Sequence, residues 1–172
     1  MAQPQYSQNP PPGPPRRQPP SDKLDINAGR LWGGGVAAAV IGAVVALVAL
    51  WAATGVFDVT VAVPDSPGSD VYKELGAGPT LLVGFAAGII ATAVLHGLLL
   101  VAPRPLLFFQ WLSLVVIAAA AIYPFTLNAP IPDERASEIA LAVIHVVTGV
   151  AIVSLLSGIV PRVTRPASQG GY

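Results

Sequence analysis

The chain contains no cysteine, so disulfides, thiolate metal ligation and thiol nucleophiles are all excluded. Charge is scarce as well. Only 10% of residues are charged, nine basic and nine acidic, and the formal net charge is zero. A neutral chain without clustered Lys and Arg gives no electrostatic case for a nucleic-acid partner. Neither a Gly-rich phosphate loop nor a metalloprotease helix motif occurs.

What fills the chain is apolar: 53% of residues are hydrophobic and the mean hydropathy is +0.66. Four long apolar runs, at about 31–54, 78–102, 105–127 and 136–160, separate nearly all the charged residues. The one charge inside a run is Glu138, in the first turn of the fourth. A helix apolar all round is buried in a large core or in lipid, and 172 residues cannot surround four such helices. Crossing the hydrocarbon layer takes about 20 apolar residues, which each run supplies. The expected fold is all-α: a polytopic membrane protein built as a four-transmembrane-helix bundle over 28–163. A disordered proline-rich arm over 1–27 precedes it, and a short tail over 164–172 follows.

Residues 1–20 hold eight prolines and four glutamines, a composition that cannot bury apolar surface or pair its backbone. The first apolar run is too long for a cleavable signal, whose apolar region spans about 7–15 residues, and so it reads as a retained anchor. Within the loop over 55–77, Val59–Val63 has β-propensity and Pro64-Asp65-Ser66-Pro67-Gly68 is a turn cluster. The turn Ala102-Pro103-Arg104-Pro105 makes the second and third spans antiparallel neighbours. Pro124 is expected to end or bend the third span, with a second loop over 128–133.

Orientation follows from charge. Arg16, Arg17, Lys23, Arg30, Arg104, Arg162 and Arg165 fall on one side of this layout, Lys73 and Arg135 on the other. Positive flanks stay in the cytoplasm, so both termini are expected there, in a bacterial plasma membrane. Trp32 and Trp51 bracket the first span and Trp111 marks the start of the third, as interfacial anchors. Arg30, Arg104 and Arg162 can meet lipid head groups.

Small and polar residues form a stripe in the second span. Gly84, Gly88, Thr92 and His96 recur every four residues and so share one helix face. Leu99 falls outside that stripe. The fourth span offers His145, Thr148, Gly149, Ser154, Ser157 and Gly158; the first offers Gly35, Ala39, Ala43 and Ala46. Small residues with polar glue are how helices pack in lipid, so Gly84, Gly88, Thr92, His96, His145 and Gly149 are expected to form an interior packing seam. His96 and His145 are the titratable groups near mid-membrane and hence candidates for a proton path. Their levels differ by about 12 Å at 1.5 Å per residue, too far to share a metal, and each is expected as a neutral ring bonded to a carbonyl or hydroxyl. No catalytic residue, metal site or cofactor is expected.

The Arg-Leu-Trp-Gly-Gly-Gly start of the first span, Leu95-His96, Ala102-Pro103-Arg104-Pro105 with Phe108-Phe109-Gln110-Trp111, and Ser154-Leu155-Leu156-Ser157-Gly158 together carry a resemblance. The chain resembles small four-span membrane proteins of actinobacteria classed as a domain of unknown function, over about 28–163. That resemblance implies a plasma-membrane bundle and lends no activity or site.

The leading expectation is a non-enzymatic integral membrane protein whose partners are the lipid bilayer and either a second copy of itself or another membrane protein. A small transporter or proton-coupled pore using His96 is the alternative. An enzyme with an outer-surface site ranks third, because catalysis through Asp58–Glu74 would need partners that the sequence does not show.

Overall fold

The structure, a computed structural model, describes residues 24–66, 68–127 and 133–166. Most of the proline-rich arm, most of the second loop and the end of the tail lie outside the described residues.

Four helices dominate: α1 (Ala28–Trp51), α2 (Ala77–Val101), α3 (Pro105–Ile122) and α4 (Glu134–Val163). Each, with its short continuation, is long and apolar enough to cross a membrane. α1 lies beside α2 and α4; α3 fills the far side of the ring, against α4 and, less closely, α2. The burial pattern is inverted relative to a protein in water. On α1 the bundle face is Gly35, Ala38, Ala39, Gly42, Ala43 and Ala46, whereas Val36, Val40, Val44 and Val48 point outward. Small residues let backbones approach where no hydrophobic force draws helices together, and an outward apolar belt of this extent suits lipid.

The helix ends follow local chemistry. The Asn27 side chain caps α1 by accepting from the Arg30 N–H at 3.0 Å, so the helix starts three residues before the apolar run does. Past Trp51 the chain widens into one π turn over Ala52–Val56. Pro105 opens α3 at its first turn, where a missing N–H costs nothing. Pro124 lies in a 3-10 turn, Tyr123–Thr126, that ends the third span early. Pro161, expected beyond the fourth span, lies inside α4. It removes one hydrogen bond from a last turn with only Arg162 and Val163 to follow, so the interruption is small.

Two short ribbons close the ends. β1 (Leu24–Ile26) pairs antiparallel with β4 (Thr164–Pro166), Asp25 opposite Arg165. Neither strand is expected from the sequence, which places the two segments in an arm and a tail. An even number of helices returns the chain to the end where it began, which brings the two flanks together. At the opposite end β2 (Ala62–Pro64) pairs with β3 (Tyr72–Glu74), Val63 opposite Lys73. The strand is shifted toward the turn relative to Val59–Val63. Gly68 takes φ +77° in that turn, a value glycine adopts without strain. The hairpin is docked onto the bundle. Val61 is buried, and the Ala62 N–H donates to the Ser137 hydroxyl of α4 at 2.9 Å.

Leu31, Leu95, Leu99, Phe109, Ile152 and Leu156 form the core near the α2–α3 turn. Leu50, Ala53, Val61, Leu141 and Ile144 form a second core beneath the hairpin. Leu99 is thus a core residue, although it lies off the small-residue stripe. Glu138 sits in the second turn of α4, buried, with Arg135 at 2.8 Å.

Candidate functional site

α1 and α2 meet along one antiparallel register. Gly84 faces Ala43, Gly88 faces Ala39, and Gly35 of α1 in turn accommodates Thr92. A Cβ on Gly84 would stand 2.9 Å from the Ala43 Cα, and one on Gly88 would stand 2.7 Å from the Ala39 Cβ. Each step of one helical turn along α2 is met by one turn back along α1. His96 comes one turn after Thr92 and leaves this tight contact. Its ring packs on Trp32, with centroids 6.3 Å apart and planes tilted by 52°.

Gly149 belongs to a different seam. It faces Ile117 of α3, whose Cγ1 would lie 2.6 Å from an added Cβ. Gly42 likewise receives Ile152 of α4 at 2.6 Å. The six residues read from sequence as a single seam are divided: Gly84, Gly88 and Thr92 join α1 to α2, Gly149 joins α4 to α3, and the histidines line neither close approach.

Among the described residues no side-chain hydrogen bond joins the helices at these seams, contrary to the polar-glue expectation. The Thr92 hydroxyl donates to Gly88 O of its own helix at 2.8 Å, and Thr80 does the same to Gly76 O. His145 Nδ1 lies 2.8 Å from Leu141 O, one turn back on α4. Only His145 has the expected carbonyl partner, because the buried His96 Nδ1 has none among the described residues. The Thr148 and Ser157 hydroxyls are also buried without a partner among the described residues. Side-chain bonds to the preceding turn satisfy a hydroxyl locally and leave contact distance as the cohesive factor.

The remaining anchor residues are surface residues. Arg30, Arg104, Trp111 and Arg162 are exposed, as are Trp32 and Trp51 at the two ends of α1.

Loose packing of α3 opens a cavity. Phe109 is the buried residue of this helix, and a space of about 460 Å³ lies between α2, α3, α4 and the hairpin. Val83 and Ala87 of α2, Val116, Ile117 and Ala120 of α3, and Ile144, His145, Thr148 and Ile152 of α4 line it. Val63 and Leu75 close its hairpin end, where Lys73 and Asp65 pair at 2.8 Å. A second space of about 290 Å³ shares Ala87, Val116, Ile117, Gly149 and Ile152 and continues between α2 and α3 to Phe109. Exposed Ile90, Leu112 and Val116 stand at its margin, so the cleft opens sideways, toward the apolar surroundings of the bundle.

A family model covers residues 26–162, from the end of β1 to the last turn of α4, and is described as a family of unknown function, DUF6069. The chain belongs to that family. No curated protein and no solved structure matches it. The DUF6069 region therefore contains both seams and the whole cavity.

Of the cavity residues, the sequence singles out Gly84, His145, Thr148 and Gly149, but as packing residues; the cavity itself is not expected from it. One signal was available: Ala118–Ala121 is a run of four alanines on α3, too little side chain to fill the space against α2 and α4. The hydrogen bond from Ala62 to Ser137 joins positions 75 residues apart and has no local signature at all.

Proposed function

We propose that this is a non-enzymatic multi-pass protein of the bacterial plasma membrane that binds an apolar, membrane-resident molecule between α2, α3 and α4. The observation that carries the reading is the cavity of about 460 Å³, lined mainly by Val, Ile, Leu and Ala and continuous with a lateral cleft. Its size falls within the roughly 300–1,000 Å³ of small-molecule sites. Apolar cavities of this kind stay dry and take up apolar molecules, and a lateral mouth admits them from the lipid. The seven-to-two division of Lys and Arg supports cytoplasmic termini and an outward-facing hairpin. The cavity then occupies the outer half of the bundle.

Catalysis draws no support from the arrangement of side chains. The polar side chains lining the cavity are Thr80, Thr148, His145 and Tyr123, with the Asp65–Lys73 pair at the rim. A proton path through His96 is the weaker reading, since that ring packs on Trp32 and is not among the residues lining the cavity.

Native mass spectrometry of gently purified protein tests this. The wild type should retain a discrete apolar molecule, and Ala87→Phe, which fills the space shared by both cavities, should lose it while remaining folded. A wild type that carries nothing, or a filled variant that carries the same molecule, would overturn the reading.

A further inference from the structure

The bound molecule's chemistry can be narrowed from the state of one ring. His145 Nδ1 lies 2.8 Å from Leu141 O, and a carbonyl oxygen can only accept. Nδ1 therefore carries the hydrogen, and in the neutral ring Nε2 is left with a lone pair. No hydrogen bond reaches Nε2 from the described residues. His145 is half-buried and lines the cavity, with Thr148 one turn further along. The Thr80 hydroxyl in the same cavity is already committed to Gly76 O. The interior thus holds an unused acceptor, His145 Nε2, beside the Thr148 hydroxyl, which is buried without a partner among the described residues. Counting from the start of α4, His145 lies about 16 Å along the helix at 1.5 Å per residue, well below the rim.

Resting on the reading of the cavity as a binding site, we infer that its ligand is an apolar alcohol whose hydroxyl donates to His145 Nε2. A buried hydroxyl without a partner is costly, and so is a buried acceptor without one. One hydrogen bond between them removes both penalties. An ether, ester or ketone of the same shape can only accept. It could accept from the Thr148 hydroxyl but would leave the Nε2 lone pair unsatisfied, whereas an alcohol can serve both groups. The rim pair Asp65–Lys73 is not needed for this recognition, because each of its charges already has a partner.

Radiolabelled farnesol and its methyl ether test the inference by equilibrium binding to the full-length protein in phosphatidylglycerol–phosphatidylcholine nanodiscs, with empty nanodiscs subtracted. The wild type should bind farnesol about tenfold more tightly than the ether, the factor expected for one satisfied buried hydrogen bond. His145→Phe should bring farnesol down to the level of the ether and leave ether binding unchanged. The wild-type comparison stands alone if that variant does not fold. Equal, saturable binding of both ligands to the wild type would overturn recognition of the hydroxyl and leave the cavity reading standing. Saturable binding of neither would overturn both.

Discussion

Gly88 of α2 lies against the backbone of Ala39 on α1, so close that a Cβ at position 88 would stand 2.7 Å from the Ala39 Cβ. Backbone rather than a flexible side-chain tip blocks added volume there, and the helices can accommodate it only by moving apart. Overpacking a tight contact costs about 1–3 kcal/mol for small additions. Gly88→Ala should therefore lower thermal stability in detergent measurably, and Gly88→Leu should abolish assembly of the bundle. Gly97 has open space around its Cα, so Gly97→Ala is the matched control and should be neutral. Leu99→Ala would not serve, because Leu99 is buried in the core, where such truncations cost about 2–5 kcal/mol.

The docked hairpin depends on Ser137. Removing its hydroxyl by Ser137→Ala strands the buried Ala62 N–H, at a cost of about 1–3 kcal/mol. Hydrogen exchange at the Ala62 amide should quicken by roughly one to two orders of magnitude, with the α1–α2 seam unaffected. Asp65→Ala breaks an ion pair whose side chains are half exposed; such pairs contribute about 0–1 kcal/mol, and exchange at Ala62 should change little.

His96→Gln should assemble and melt like the wild type. The ring makes no hydrogen bond through Nδ1 among the described residues, so no hydrogen bond from that atom is lost. The environment of Trp32 should change, since the two rings are in contact, and a shift in tryptophan emission would report it. A large loss of stability would show that His96 has a structural partner.

The absence of cysteine makes topology directly measurable. Ser66→Cys, exposed in the hairpin turn, and Pro103→Cys, exposed in the α2–α3 turn, lie at opposite ends of the bundle. In intact cells an impermeant maleimide should label position 66 and not position 103. The reverse pattern would invert the proposed orientation.

The helices and the α1–α2 face were legible in the sequence because both are local, periodic signals. Gly84 and Gly88 fall one turn apart, and so do Gly35, Ala39 and Ala43. Which faces meet is a longer-range matter. Gly149 shares its chemistry with Gly88, yet it packs on Ile117 of α3, and nothing within α4 specifies that neighbour. Pairing of β1 with β4 likewise joins residues at the two ends of the described chain. The cavity was the least legible feature, since it arises from what α3 fails to fill rather than from any residue type.

Photo-crosslinking in the living membrane tests the central claim most directly. Benzophenone-alanine at Ala120, on the cavity wall, is compared with the same group at Val44, on the outward face of α1. Position 120 should capture one discrete apolar molecule, and position 44 the ordinary mixture of surrounding lipids. The same mixture at both positions would contradict a binding cavity in this bundle.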